Sequence, residues 1–582
     1  MNKKIRNLLH IIFIVLNVFN SIFAQIPKNN SVLHYTSVYF EDSLVNSGNT
    51  YKLFLGLDSL FKKPILLIDT IYKKLPAFHV YKLNWATTYY WRVDAYKDGK
   101  IAKQGEIHKF SIMTIKASYM DTVRLKVIKN IKNKNNGGFI VFDNCRTIFD
   151  REGNPVWTLP LTKDIIDFNT VIRDLKITKD NTLTFLTLKT PIEIDFEGGV
   201  LWKGIKPLVI GKDTIKYHHD FKKDNEGNYW VLGNRIVYRK LLKKLEDNIV
   251  RNEDKVLITD SGIFRGCEMG LLMKFNKDNQ LLWMWDANNY LKDVDLNYKL
   301  SGNGFPSFSS HMNAFSFNEK MDEVCIGFRD LSRIVKVNVK TGKVISSYGE
   351  KYPSGDAKYA DNTFFSQHDC SLTKANSILI FSNNTLKKEP SSVIELDGNN
   401  LNNNPVLWQF NLNFDSLTDG RSERCGNVTD LKNDNLLVCA GTLNRTFEIT
   451  RKHEIVWDAF IQCKVNGDTN WTALKQYRSS FIPKIPIYQF IPVVEKTETK
   501  NNKVKKIKVV INNTGNSTDS YILKVFDKNQ KVMIQKLTKQ VIVNNNCTTI
   551  IDVPIQLKDK SAFTISITSN SLPNRVKFLT SN

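Results

Sequence analysis

The chain has 582 residues, too many for one ordinary core, so two to four domains are expected. Hydrophobic residues make up 42%, charged residues 24% and aromatics 11%, which excludes a disordered chain and suits an all-β one. The formal net charge of +24 reads as compositional, because Lys, Asn and Ile are abundant everywhere; the lysines fall in turns and tails without interleaved stacking aromatics, so no nucleic-acid partner is indicated.

In chain order, residues 1–24 read as a secretory signal. Lys3, Lys4 and Arg6 form a basic start, Leu8 to Phe23 is mostly apolar, and Ala24 precedes a cleavage point at Gln25, although Ile22 is larger than the residue preferred there. No later run is long and apolar enough to span a membrane. The mature protein is expected to be exported, periplasmic or at the cell surface, without stable membrane insertion. The eight cysteines include no C-x-x-C pair, so neither a zinc ribbon nor a thioredoxin motif is present, and no disulfide connectivity follows.

Residues 26–115 are expected to form a β-sandwich. Strand-like runs occur at Val38 to Phe40, Tyr51 to Leu55 and Pro64 to Ile68. The stretch from Leu83 to Tyr96 alternates apolar and polar residues and ends in Lys97-Asp98-Gly99-Lys100, a strand-and-hairpin signal. It resembles fibronectin type III-like modules.

From about 120 to 490 a unit recurs. Its third strand shows as Thr147 to Asp150, Ile192 to Asp195, Leu272 to Phe275, Val335 to Asn338, Val393 to Leu396 and Phe447 to Thr450. Its fourth strand ends near Trp157, Trp202, Trp285, Trp408 and Trp457, with Tyr348 in the equivalent place of another unit. About six four-stranded repeats predict a β-propeller, since one such sheet alone cannot bury both faces. From 495 to 582 the runs Lys503 to Ile511, Tyr521 to Phe526 and Thr549 to Pro554 predict a second β-sandwich. The expected fold class is therefore all-β: a six-bladed propeller flanked by two sandwich-like domains.

Chemistry-bearing residues recur in phase. His218-His219-Asp220, His311-Met312-Asn313 and Gln367-His368-Asp369 each open a repeat, and the first strands of propeller blades line the central channel. A lone His is most often a satisfied structural residue; three at one repeated position are better explained by function. Arg329 lies eighteen residues after His311, a spacing that returns a hairpin to the same end, where a guanidinium fork can face an oxyanion. Gly342-Lys343 is followed by Val344, so no P-loop for a nucleotide donor is present.

On these motifs the stretch from 120 to 490 resembles bacterial arylsulfate sulfotransferases. The matching segments are HHDF and NEGNYWVLG within 218–233, HMNAF at 311–315, GFRDLSRIVKV around Arg329, FSQHD at 365–369, GNVTDLKNDNLLVCAG at 426–441 and QYRSSFIP at 476–483. The family carries Ser-Arg where this chain has Phe328-Arg329. The resemblance implies transfer of a sulfuryl group from a small aryl sulfate to a phenolic acceptor, with no cofactor, metal or nucleotide donor. It implies His368 as nucleophile through a sulfohistidine, His219, His311 and Arg329 as further catalytic residues, and Asn313 with Arg329 as substrate-binding residues. Such residues suit the chemistry: a sulfate ester's transition state spreads negative charge over three oxygens and needs donors aimed at them. Two other classes fit the residues alone: a metal-dependent hydrolase or lyase using His219, His311 and His368 with Asp220 or Asp369, and a non-catalytic exported propeller for adhesion or display.

Overall fold

The computed structural model describes Gln25 to Thr580 except residues 43–47, 49, 63, 71–76, 116–119, 161–164, 166–170, 188–189, 242–255, 297–308, 319, 356–358, 374, 400–404, 414–418, 466, 486–489, 498–504, 514–517, 528–532, 544–546, 556–562 and 571–575. The signal expected at 1–24 lies outside the described residues. Strands carry the fold, and helix is confined to short turns such as Ala287–Asn289. Among the described residues no helix is long and apolar enough to cross a membrane.

Two compact units result. Among the described residues, one gathers those of 25–115, Val156–Thr158 and those from Lys484 to Thr580; the other holds those of 120–155 and Leu159–Pro483. In the first, Thr50–Gly56 and Thr87–Lys97 pair within a six-stranded sheet, and Lys505–Asn513 pairs with Cys547–Ile555 in a three-stranded one. Asp98 and Gly99 have φ of 50° and 77°, the paired left-handed residues that a tight hairpin between right-twisted strands demands.

Between residues 120 and 482 the described residues form six antiparallel sheets of four to six strands. The aromatic residues that mark the repeat lie on the strands Pro155–Thr158, Val200–Lys203, Leu281–Asp286, Val344–Gly349, Val406–Asn411 and Ile455–Val465, one for each sheet. At the opposite side of the sheets run Ile172–Ile177, Asp213–Lys223, Met312–Asn318, Asp369–Leu372, Asn427–Asp430 and Ser479–Ile482. Each of these six lies against the next, and Ser479–Ile482 lies against both Asn427–Asp430 and Ile172–Ile177. That last strand reaches back to pair with Phe139–Phe142, so the first sheet is completed from the C-terminal end of the unit.

Apolar clusters fill the space between successive sheets. Ala314, Cys325 and Ile334 pack on Cys370, Ile380 and Ile394, and Leu379, Phe381 and Val393 pack on Val428, Val438 and Phe447. Strands such as Glu323–Phe328, Ile378–Ser382 and Leu436–Ala440 are therefore buried along their whole length, and they read as continuous rather than alternating apolar runs for that reason.

Polar links join the inner strands in succession. Asp143 accepts from the backbone N–H of Asn144, Asp174, Tyr477 and Arg478. Asp174 accepts from Phe221 N, Asp220 from Phe315 N, Ser316 Oγ from Leu372 N, and Asp369 from Val428 N. Asn427 and Ser479 exchange two bonds. A carboxylate taking a backbone N–H from the neighbouring sheet satisfies a buried donor that no ladder reaches, which explains why Asp follows His in two of the three histidine motifs.

Candidate functional site

The histidines gather at one end of the inner strands, but they enter it differently. His311 and His368 immediately precede Met312–Asn318 and Asp369–Leu372, whereas His218 and His219 sit inside Asp213–Lys223 where the pairing register breaks between Tyr217 and Phe221. His219 and His311 have φ of 60° and 40°. Left-handed backbone is costly for a residue with a Cβ, and here it turns both rings out of the ladder. The His219 ring lies 5.2 Å from that of His311 and 4.9 Å from that of His218, centroid to centroid. His218 Nδ1 and His219 Nδ1 are 2.7 Å apart, so one of them carries the shared proton.

The expected hairpin return of Arg329 is present: its backbone N–H donates to the His311 carbonyl at 3.0 Å. Asp330 joins the pair, accepting from Arg329 Nη1 at 2.8 Å and from His311 Nδ1 at 3.1 Å. That bond leaves His311 Nε2 as the working nitrogen.

His368 is buried, and its Nδ1 is 2.6 Å from Asn383 Oδ1. The Asn383 amide nitrogen donates to the carbonyls of Ser422 and Cys425 at 2.5 and 3.0 Å. Two carbonyl acceptors fix which end of the amide is nitrogen, so Oδ1 faces the imidazole and must accept from Nδ1–H. The lone pair of His368 therefore lies on Nε2. Burial and then the Arg329 charge push the His368 imidazole down to about 3. Burial likewise takes His218 down to about 4, and burial with the rings of His218 and His311 holds His219 well below the usual range. At neutral pH all three rings are uncharged.

Asn313 is fully buried and its amide nitrogen donates to the Gln367 carbonyl at 2.7 Å; it ties the His311 segment to the turn that carries His368. Beneath the site Arg478, also buried, contacts Asp174 at 2.9 Å and Asp220 at 3.2 Å and donates to the carbonyls of Asn313 and His368 at 3.1 and 3.2 Å. One guanidinium thus holds four inner-strand positions. Burial alone would push Asp220 up, but Lys176, Lys222 and Arg478 outweigh it and hold Asp220 well below the usual carboxylate range. Beside the His219–His311 pair lies a cavity of about 190 Å³, lined by both rings with His218, Asn234, Glu268 and Met312 among others.

Sequence reasoning thus brought His219, His311, Asn313, Arg329 and His368 to one place. It missed Asp330, Asn383 and Arg478. Asp330 was within reach, since it follows Arg329 directly, and Arg478 lay inside a quoted segment whose role went unread. Among the described residues no three His, Cys, Asp or Glu side chains are arranged to hold a metal ion. Seven of the eight cysteine side chains are described, all as free thiols.

This is an all-β protein whose second unit carries a histidine- and arginine-rich site at one end of its inner strands. The sequence model described as arylsulfotransferase (ASST) matches residues 124–456, and the chain belongs to the arylsulfotransferase family. It is accordingly an enzyme of the arylsulfotransferase kind, acting on a small aryl donor and acceptor. No curated protein matches the chain. Among solved structures, a protein of unknown function from Bacteroides caccae is 11% identical, with 60% of this chain and 99% of that one covered at a TM-score of 0.36. A luciferin-regenerating enzyme is 7% identical, with 61% and 98% covered at 0.28. The hydrazine synthase of Kuenenia stuttgartiensis is 10% identical, with 64% and 96% covered at 0.26.

Proposed function

We propose that this protein moves a sulfuryl group from an aryl sulfate ester to a phenol through a covalent sulfohistidine at His368, without a nucleotide donor. The supporting observation is the setting of His368: a buried, uncharged imidazole whose Nδ1–H is held by Asn383 and whose Nε2 lone pair is free to attack. Family membership supports the reaction class.

In the first half-reaction Nε2 attacks sulfur, the N–S bond forms and the S–O bond to the aryl group breaks. The departing phenolate oxygen takes a proton from His311 Nε2, whose Nδ1–H stays on Asp330. Arg329 and His219 face the sulfuryl oxygens, where charge builds. In the second half-reaction His311 takes the acceptor's proton, the phenol oxygen attacks sulfur and the N–S bond breaks. Splitting the displacement frees the enzyme from holding donor and acceptor together. Asn313 contributes by anchoring the turn before His368.

The scaffold is a six-bladed propeller spanning about 120–490. Its support is the succession of inner strands, each against the next, with Ser479–Ile482 against both Asn427–Asp430 and Ile172–Ile177. Residues 26–115 and 495–582 form the flanking sandwiches, and the protein works outside the cytoplasm after loss of residues 1–24. The test is steady-state kinetics with nitrophenyl sulfate and a phenol: parallel double-reciprocal lines, showing ping-pong transfer, are expected, and intersecting lines would contradict the covalent step.

A further inference from the structure

The site contains three guanidinium groups, and they differ in what they already hold. Arg329 is paired with Asp330 at 2.8 Å. Arg478 is paired with Asp174 and Asp220 and occupied with two carbonyls. Arg173, on the inner strand Ile172–Ile177, is half-buried, and among the described residues its guanidinium has no acidic or hydrogen-bonding partner. It lies over the Tyr477 ring, 5.4 Å from the centroid, and that ring is 6.0 Å from His219. The Tyr477 hydroxyl is buried and likewise without a partner among the described residues. A half-buried cation whose one recorded contact is a ring face, and a buried hydroxyl on that same ring without a partner among the described residues, are expensive to keep unless a ligand completes them.

We infer that Arg173 and Tyr477 form an anion subsite that takes a carboxylate carried on the aryl group, so that the preferred substrates are phenols bearing a carboxylate side chain and their sulfate esters. This rests on the proposed sulfuryl transfer. The alternative source of anionic oxygen is the sulfuryl group itself, but the charges that bear most on His368 belong to Arg329, His311 and Arg478, whereas Arg173 bears on His218 and His219. Arg329 therefore stands on the side of the nucleophile and Arg173 on the side of the His218–His219 pair. Of the three groups, Arg173 is the one without a carboxylate partner among the described residues, and its fork is placed to take an incoming carboxylate.

The test compares two acceptors of matched phenol, 4-hydroxyphenylacetate and its methyl ester, with nitrophenyl sulfate as donor. The parent is expected to favour the carboxylate in kcat/KM by roughly tenfold or more, the scale of one charge-assisted hydrogen-bonded pair. In Arg173→Gln the ratio should fall to about one, and in Arg173→Lys, which keeps the charge and loses the fork, it should be intermediate. A parent without the preference, or a ratio unchanged by Arg173→Gln, overturns the subsite; so does a loss shared equally by both acceptors, which would assign Arg173 to the sulfuryl group. A parent that transfers to neither acceptor would contradict the proposed function instead. Calorimetric binding of the same two phenols to the parent and to Arg173→Gln then still decides the subsite by the same ratio.

Discussion

Asn383 gives the sharpest handle on how the nucleophile is prepared. Its Oδ1 is 2.6 Å from His368 Nδ1, and its amide nitrogen is anchored on two carbonyls. Asn383→Ala removes the acceptor that fixes the tautomer. A buried donor left unsatisfied costs about 1–3 kcal/mol, which is roughly 5- to 150-fold in rate if the loss falls on the sulfation step. The assay is the pre-steady-state burst of nitrophenol, which reads that step alone. Asn383→Asp adds a readout that a merely structural role would not move. In the parent, an imidazole pushed down to about 3 stays neutral at pH 5, so His368 imposes no loss of burst rate between pH 7 and 5. A carboxylate beside Nδ1 favours the imidazolium and raises its proton affinity. Falling pH then protonates the nucleophile earlier, and the acid limb of the Asn383→Asp profile should move upward towards the ordinary His range near 6.5. A parent-like burst rate in Asn383→Ala, together with a superimposable pH profile in Asn383→Asp, would refute the positioning role.

Three further outcomes follow from the same geometry. Arg329→Ala should lower kcat on the order of a hundredfold or more, as for one lost oxyanion donor, and the melting temperature should show whether the fold is intact. Asp330→Asn should slow transfer from esters of weakly acidic phenols more than from nitrophenyl sulfate, since only poor leaving groups need the proton from His311; a uniform loss over a leaving-group series would contradict that assignment. Arg478→Met should destabilise the second unit by about 1–3 kcal/mol, because Asp174 and Asp220 would lose one of the cations that offset their buried charge and keep Lys176 and Lys222; denaturant unfolding that matched the parent would show the guanidinium to be dispensable.

The repeat was legible because it is local. Trp202, Trp285, Tyr348, Trp408 and Trp457 each lie on the strand that follows a third-strand run, although Trp408 and Trp457 come near the start of their strands and not at the end, and the third-strand runs fall where the sequence expects them. The same periodicity made His219, His311 and His368 visible as a set, and hairpin arithmetic found Arg329. What escaped depends on contacts distant in sequence. Ser479–Ile482 joins a sheet begun at Phe139, and no local pattern announces such a pairing. Arg478 acts through Asp174, Asp220, Asn313 and His368, all more than a hundred residues away in the chain. Asn383 lies in a run of small polar residues that resembles any turn, and its role rests on one amide orientation. His218 and His219 were expected at a strand start; a register break inside Asp213–Lys223 achieves the same exposure, and alternation does not encode it.

The central claim is that the sulfuryl group rests on His368. Intact mass spectrometry after brief exposure to nitrophenyl sulfate, with no acceptor present, tests it most directly. The parent should gain the mass of one SO3, the gain should map to the peptide carrying His368 and disappear when a phenol is added, and His368→Asn should show none while melting close to the parent. A gain of the same mass in His368→Asn, or a parent that transfers to phenol without passing through any adduct, would contradict it.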